Sequence, residues 1–299
     1  MSTTRQLPPK GPIHWVLDWD GTITEKDTLD ALVNIAASTK PNFPTHDRWK
    51  QVVDAYLDDY TATLEELAPR GMLPTTIEAE EKLLKDLKVV EQRSLNRVSE
   101  SKIFEGLTGA QLEFGAKKAI EAGKVALRPG CVEFLQSFAC DAASKGDKLH
   151  ILSVNWSQHF ISSCLKTAGV DINTSVILAN ELDGIATGKP SSGQISPDGE
   201  TTIIASDDKL RHLEYMRRSS SMPIVYVGDS WTDIECLLAA DVGICIQDEP
   251  MGTSQKKLAG ALGRVMVEYF PLLDSDERRH SRVASARDFM QIQKWASGC

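Results

Sequence analysis

Basic residues are the scarce charge in this chain of 299 residues: 33 Lys and Arg stand against 42 Asp and Glu, for a formal net charge of -9. Nucleic acid is therefore not expected as a partner, because phosphate backbones are held by local excesses of Lys and Arg. A small anionic substrate stays open, since one Lys or a bound metal inverts the sign of the field locally. Uninterrupted apolar runs are also short. None approaches the roughly 18 residues that a membrane span needs, so no membrane partner is expected. The opening MSTTRQLPPKGP has no apolar stretch behind its Arg and Lys and does not read as a secretory signal. The six cysteines, at 131, 140, 164, 236, 245 and 299, are far apart and form no C-x-x-C pair. Buried free thiols in a reducing compartment are expected, and with no targeting signal, cytoplasmic residence. The final ASGC does not fit a prenylation box, because its Cys is last instead of fourth from the end.

What is present is an ordinary globular composition, 41% hydrophobic and 25% charged. It is long enough for one sizeable core plus a smaller second unit. The apolar run Ile13–Leu17 meets DWDGTIT abruptly and predicts a buried strand opening into a loop. Further strands are predicted at about 148–154, 175–180, 223–227 and 242–246, separated by helices at about 129–145, 157–168, 206–219 and 231–240. Strands alternating with helices predict an α/β fold with a parallel sheet covered on both faces. Residues 27–126 differ: they repeat apolar residues at helical spacing without a strand, which predicts a helical cap inserted after the first strand. The expected division is a flexible lead over 1–12, a core of 13–26 and 127–299, and the cap between. The stretch 184–200 is rich in Gly, Ser and Pro and predicts a loop. SARDFMQIQKWAS predicts a last helix packed on the core.

Four signals fall at the C-terminal ends of predicted strands, where an open α/β sheet places its ligand. In Asp18-x-Asp20-Gly21-Thr22, Asp18 suits a nucleophile toward phosphorus. Asp20 suits a general acid that then becomes a base. Ser153 ends the second strand, where its hydroxyl and the following backbone N–H groups suit a phosphoryl oxygen; Asn155 and Ser157 are candidates for the same shell. One Lys close to Asp18 would offset the clustered negative charge; Lys189 and Lys209 are both eligible on composition. In Gly228-Asp229-Ser230-Trp231-Thr232-Asp233, Asp229 and Asp233 lie one helical turn apart. With the carboxylate of Asp18 and the backbone carbonyl of Asp20 they suit Mg2+, an oxygen-seeking ion. His14, His150, His159 and His212 show no ligand spacing with the cysteines and read as structural or surface groups. Arg278-Arg279-His280 reads as a solvated face. Trp156 and Trp231 each adjoin a candidate segment, and lining the substrate mouth and packing against the sheet are equally open for both.

With these four motifs in this order, the chain resembles the haloacid dehalogenase superfamily on its phosphatase side. The helical insert resembles the type 1 cap of the phosphoserine phosphatase-like branch. The resemblance implies a Rossmann-like core, with Asp18 as nucleophile, Asp20 as general acid/base, and Ser153 and Lys209 as phosphate binders. It also implies Asp229 as a magnesium ligand and Asp233 as a residue that binds or orients the magnesium shell. The implied reaction is magnesium-dependent hydrolysis of a small phosphorylated metabolite through a phosphoaspartate. Two departures bear on substrate: Ser153-Val154-Asn155 stands where that branch has Ser-Gly-Gly, and Thr232 stands where Asn is usual. Serine phosphate is thus not singled out, and sugar, nucleotide, vitamin (thiamine or pyridoxal) and keto-phosphates remain candidates. Phosphoserine hydrolysis proper, a phosphomutase and a non-catalytic binding protein on the same scaffold are the alternatives.

Overall fold

The protein is described by a computed structural model covering residues 8–139, 146–196, 202–273 and 283–298. Its centre is a parallel sheet of β1 (His14–Leu17), β2 (Lys148–Leu152), β3 (Ile177–Leu178), β4 (Ile224–Gly228), β5 (Val242–Ile246), β6 (Phe270–Pro271) and β7 (Val283–Ala286). The order across the sheet is β3-β2-β1-β4-β5-β7-β6. Residues alternate across it. Trp15, Leu17, Val225, Val227 and Ile244 pack with Phe134, Phe160, Phe289 and Trp295 on one face. Val16, Ile224, Tyr226 and Cys245 pack with Leu213, Met216, Leu237 and Leu262 on the other. Burial on both faces explains why these strands read as unbroken apolar runs. Each such side chain removed from water contributes about 1.5–3 kcal/mol before the entropy of ordering it is counted.

Most of the chain between β1 and β2 is taken up by four helices: α1 (Leu29–Thr39), α2 (Thr45–Leu67), α3 (Ile77–Ser101) and α4 (Gly109–Glu121). Local capping fixes where two of them begin. Thr76 accepts from the Ala79 N–H at the head of α3, and Thr108 and Gln111 form a capping box at the head of α4. The chain leaves and re-enters the core at one place, where Thr24 bridges Leu127 antiparallel and the Glu25 N–H donates to Ala126 O at 2.9 Å. The flanking helices of the sheet are α5 (Cys131–Ala139), α6 (Gln158–Thr167), α7 (Ser206–Ser219), α8 (Ile234–Ala239), α9 (Thr253–Arg264) and α10 (Phe289–Ala296). This is an α/β fold with a Rossmann-like parallel core and cap helices.

Several elements differ from expectation. The second strand ends at Leu152, and the third is two residues long because a 3-10 turn, Thr174–Val176, occupies its expected start. The helix expected over 231–240 opens as a 3-10 turn, Trp231–Asp233. The helix α9 and the strands β6 and β7 are additional. The expected helix beyond Ala139, part of the 184–200 loop, Cys140, Cys299 and Arg278-Arg279-His280 lie outside the described residues. Cys131, Cys164, Cys236 and Cys245 are buried free thiols. No described helix is long and apolar enough to cross a membrane.

One buried polar pair ties β1 to β2. His14 Nε2 lies 2.7 Å from His150 Nδ1. Burial, with the charges of His150 and Lys148 beside it, lowers the His14 pKa from 6.5 to about 4. The unfolded chain therefore binds a proton below about pH 6.5 that the folded chain refuses, so stability falls as pH drops from that value toward 4. In urea unfolding, the parent is expected to lose roughly 1–2 kcal/mol more than His14→Leu between pH 7 and pH 5. Equal losses would remove His14 as the cause.

Candidate active site

The strands β1 and β4 are neighbours in register, with Leu17 opposite Val227. The sheet order reverses at this pair, so the residues just past their ends face one crevice. Asp18 follows β1, and its N–H donates to Val227 O at 2.9 Å. Asp229 follows β4. The loop after β1 packs tightly on Asp229: Gly21 has φ +73°, and a Cβ there would lie 2.4–2.6 Å from the Asp229 carboxylate. Glycine is required both by backbone sign and by that approach. The Thr22 hydroxyl donates to Asp229 Oδ1 at 3.1 Å.

Buried Lys209, carried by the first turn of α7, places its Nζ 2.8 Å from Asp18 Oδ1 and 2.7 Å from Asp233 Oδ1. The Tyr226 hydroxyl donates to the same Asp233 oxygen at 2.6 Å. Asp233 Oδ2 accepts from Ser230 Oγ at 2.8 Å and from the N–H groups of Ser230 and Asp229 at 3.0 and 3.2 Å. Both oxygens of Asp233 are thus engaged, which suits it to orienting the centre more than to ligating an ion directly. Its carboxyl is held below its ordinary range: burial works against ionisation, but the Lys209 charge, its hydrogen bond, Tyr226 and the Ser230 N–H outweigh it. Burial pushes the Asp18 carboxyl well up, Asp233 and Asp229 push the same way, and Lys209 opposes. Asp229 rises to about 7, by burial first and the Asp233 charge second.

Asp20 faces elsewhere. Its Oδ1 accepts from the Thr28 N–H at 2.7 Å and from Thr28 Oγ1 at 2.6 Å, and its Oδ2 from Asn155 Nδ2 at 2.9 Å. Burial, then the nearby Asp27 charge, raises it to about 7, against the hydrogen bonds from Asn155 and Thr28. A carboxyl near neutrality on a fixed support can both give and take a proton. Ser153 is fully buried, and its Oγ accepts from the Asn155 N–H at 3.1 Å. Ser157 caps α6 by accepting from the Phe160 N–H and donates to Glu181 Oε1 at 2.7 Å, away from the aspartates. Lys189 is exposed.

Sequence reasoning missed Arg128 and Thr28. Buried Arg128 donates to Gly21 O at 2.7 Å, Thr22 O at 3.1 Å and Asp248 Oδ1 at 2.6 Å, and so clamps the loop that carries Asp18 and Asp20. A single Arg whose partners are backbone carbonyls more than 100 positions away leaves no local pattern. Thr28 stood within reach of detection, eight positions after Asp20, but its role needs the chain to curl back through Trp19, whose Nε1 donates to Thr28 Oγ1 at 3.1 Å.

Asp18, Asp229 and Asp233 each offer an oxygen within 4.8 Å of the others, and all three are buried. Three carboxylates beside one ammonium leave excess negative charge around an all-oxygen donor set, which fits a hard divalent cation. The cavity lined by Asp18, Asp20 and Asp229 measures about 390 Å3, at the small end of the roughly 300–1,000 Å3 typical of ligand sites. Trp156 lines it. Trp231 lines an adjoining cavity, and its Nε1 donates to Glu80 Oε1 of α3 at 2.6 Å.

This parallel sheet, with carboxylates gathered past β1 and β4 beneath cap helices, defines a hydrolase of the aspartate-centred kind. The chain belongs to the haloacid dehalogenase-like hydrolase family, which it matches over residues 15–238. A CTO1 family protein of Schizosaccharomyces pombe is 28% identical over 239 residues, covering 78% of this chain and 81% of that protein. The bifunctional TH2 protein, mitochondrial, of Arabidopsis thaliana is 24% identical over 288 residues, covering 90% of this chain but 44% of its own length. Among solved structures, a phosphoaspartyl-intermediate analogue of phosphoserine phosphatase superposes with a TM-score of 0.52 at 17% identity, covering 96% of this chain and 99% of its own. A phosphoserine phosphohydrolase-like protein from Francisella tularensis gives 0.52 at 15% identity over 94% and 98%. At these identities the likeness is one of fold.

Proposed function

We propose that the protein is a magnesium-dependent phosphomonoester hydrolase acting on a small phosphorylated metabolite through a phosphoaspartate on Asp18. The observation that carries this reading is the pairing of two carboxyls two residues apart with opposite surroundings. Asp18 is paired with Lys209 beside a cation-fitting cluster, whereas Asp20 is held by hydrogen bonds from Thr28 and Asn155 and raised to about 7 by burial and the Asp27 charge. In the first step an Asp18 oxygen attacks phosphorus, the P–O bond to the alcohol breaks, and Asp20 gives its proton to the departing oxygen. In the second, Asp20 takes a proton from water, the water oxygen attacks phosphorus, and the bond to Asp18 breaks to release inorganic phosphate.

Asp18, Asp229 and the Asp20 carbonyl would hold the magnesium, with Asp233 orienting them, and the ion would supply charge neutralisation for the approach of two anions. Lys209 is placed to balance the charge on Asp18 and on a phosphoryl oxygen. Ser153 and Asn155 are assigned to the phosphate side of the cavity, Asn155 also holding Asp20. The serine phosphate named for the structural neighbours is theirs and is not carried over.

The test is inorganic phosphate release from p-nitrophenyl phosphate and a panel of metabolite phosphates, with magnesium and with EDTA. Release that requires magnesium and falls about 10²–10⁴-fold in Asp20→Asn supports the assignment. Equal rates in EDTA would overturn the metal, and an unaltered Asp20→Asn rate would overturn the acid. Transfer of phosphate to a second sugar hydroxyl without its release would mark a phosphomutase instead.

A further inference from the structure

The leaving-group half of the cavity has a composition of its own. On α2, Trp49, Val52, Val53 and Tyr56 line it, at the spacing of one helical face. Glu91, Ser94 and Leu95 line it from α3, and Trp156 from the loop after β2. Trp49 and Trp156 meet edge to face at 5.7 Å, and Phe104 backs Trp156 at 6.0 Å. The Trp49 indole N–H is turned to Asp30 Oδ1 at 2.8 Å.

No Lys, Arg or His lines this cavity among the described residues, whereas Asp18, Asp20, Asp27, Glu91 and Asp229 do. Lys209 and a divalent cation answer the charge of Asp18, Asp229 and Asp233, and Asp20 carries the proton of the reaction. Two wall carboxylates remain, Asp27 at the exposed rim and Glu91 inside. The Tyr56 hydroxyl donates to Glu91 Oε1 at 2.9 Å, and Glu91 makes no ion pair of 4 Å or less among the described residues. Burial raises its carboxyl above the ordinary range, and Lys257 opposes this from the adjoining cavity. The Lys257 ammonium sits 4.7 Å from the Tyr60 ring centroid and does not line the main cavity.

We propose that this half of the cavity selects a leaving group that carries a permanent nitrogen cation, held against the Trp49, Trp156 and Tyr56 rings with Glu91 as its counter-charge. The inference rests on the phosphatase reading and names the substrate class for it: phosphate monoesters of alcohols bearing a quaternary or aromatic-ring nitrogen cation. Ring faces bind such cations while excluding water, and a half-buried carboxylate adds a Coulomb attraction that a neutral ester cannot use. A leaving group with a carboxylate, as in phosphoserine, would meet Glu91 and Asp27 with no cation on the wall to receive it.

The experiment compares kcat/KM in magnesium for phosphocholine, for its uncharged isostere 3,3-dimethylbutyl phosphate, for thiamine monophosphate and for phosphoserine, with p-nitrophenyl phosphate as a charge-free reporter. The expected result is a preference of roughly tenfold or more for phosphocholine over the isostere, with phosphoserine below both and thiamine monophosphate above the isostere. Glu91→Gln keeps an acceptor for Tyr56 and is expected to shrink the preference, chiefly through KM. An isostere hydrolysed as well as phosphocholine overturns the proposal and leaves the hydrolase reading standing. So does hydrolysis of p-nitrophenyl phosphate with no cationic ester accepted. If no ester, including the reporter, releases phosphate, the phosphatase reading falls and the proposal with it.

Discussion

Asp18→Asn is expected to lose phosphate release by at least about 10⁴-fold, because an amide cannot form the acyl phosphate and nothing else in the cavity occupies its position at the end of β1. The same variant is expected to fold at least as well as the parent in EDTA. The reasoning turns on sign. Burial and two neighbouring aspartates raise the Asp18 carboxyl well above its ordinary value despite Lys209. A carboxyl whose folded pKa lies above its unfolded one costs stability once the pH exceeds the unfolded value, so its charge opposes folding at neutrality. Removing that charge lifts the cost. Thermal melts at pH 8 should show Asp18→Asn at or above the parent in EDTA and a smaller rise on adding magnesium, since a ligand oxygen has lost its charge. A variant that is inactive only because it is unfolded would contradict the account, and one that keeps full activity would remove Asp18 as nucleophile.

Lys209→Met is expected to behave in the opposite way. Its ammonium lies within 2.8 Å of both Asp18 and Asp233 with no exposure to solvent. Truncating one member of a buried charge cluster strands the others, at a cost of about 3–5 kcal/mol. Activity should fall about 10²–10³-fold with loss of the charge beside the transferring phosphoryl group. The two losses are separable. Lys209→Met/Asp233→Asn removes one stranded carboxylate and should recover part of the stability without recovering the rate, as read by urea unfolding alongside phosphate release. Stability that does not move in either variant would mean that Lys209 is not the counter-charge of the cluster.

How much of this was legible in sequence depends on whether the information was local. Strand β1 and the loop after it read clearly because four buried residues end at DWDGTIT, and β4 ran as plainly into GDSWTD. Strand β7, with the sequence VASA, was not read as a strand: it has one β-branched residue and otherwise small side chains, and its strand state is set by pairing with β5. The two residues of β6 carry no period at all. The cap helices were legible as helices from their spacing, but not the face each turns to the cavity. Lys209 and Lys189 were indistinguishable by composition, and only the position of α7 beside β4 puts one of them between two carboxylates. Asp233 read as a candidate ligand; its saturation by Lys209, Tyr226, Ser230 and two backbone N–H groups is a property of the folded turn that spacing cannot convey.

The crossing at Thr24 and Leu127 has an architectural corollary. Because the outgoing and returning backbones are hydrogen-bonded neighbours there, the hundred-odd residues between them hang from the sheet as a closed loop with adjacent ends. Such a loop can be lengthened, rebuilt or exchanged without altering the strand order or the spacing of Asp18 from Asp229. Chemistry and choice of leaving group are thereby encoded in nearly separable stretches of chain, and a graft at these two positions that kept Thr28, the support of Asp20, would carry specificity from one protein to another while the hydrolytic machinery stayed in place.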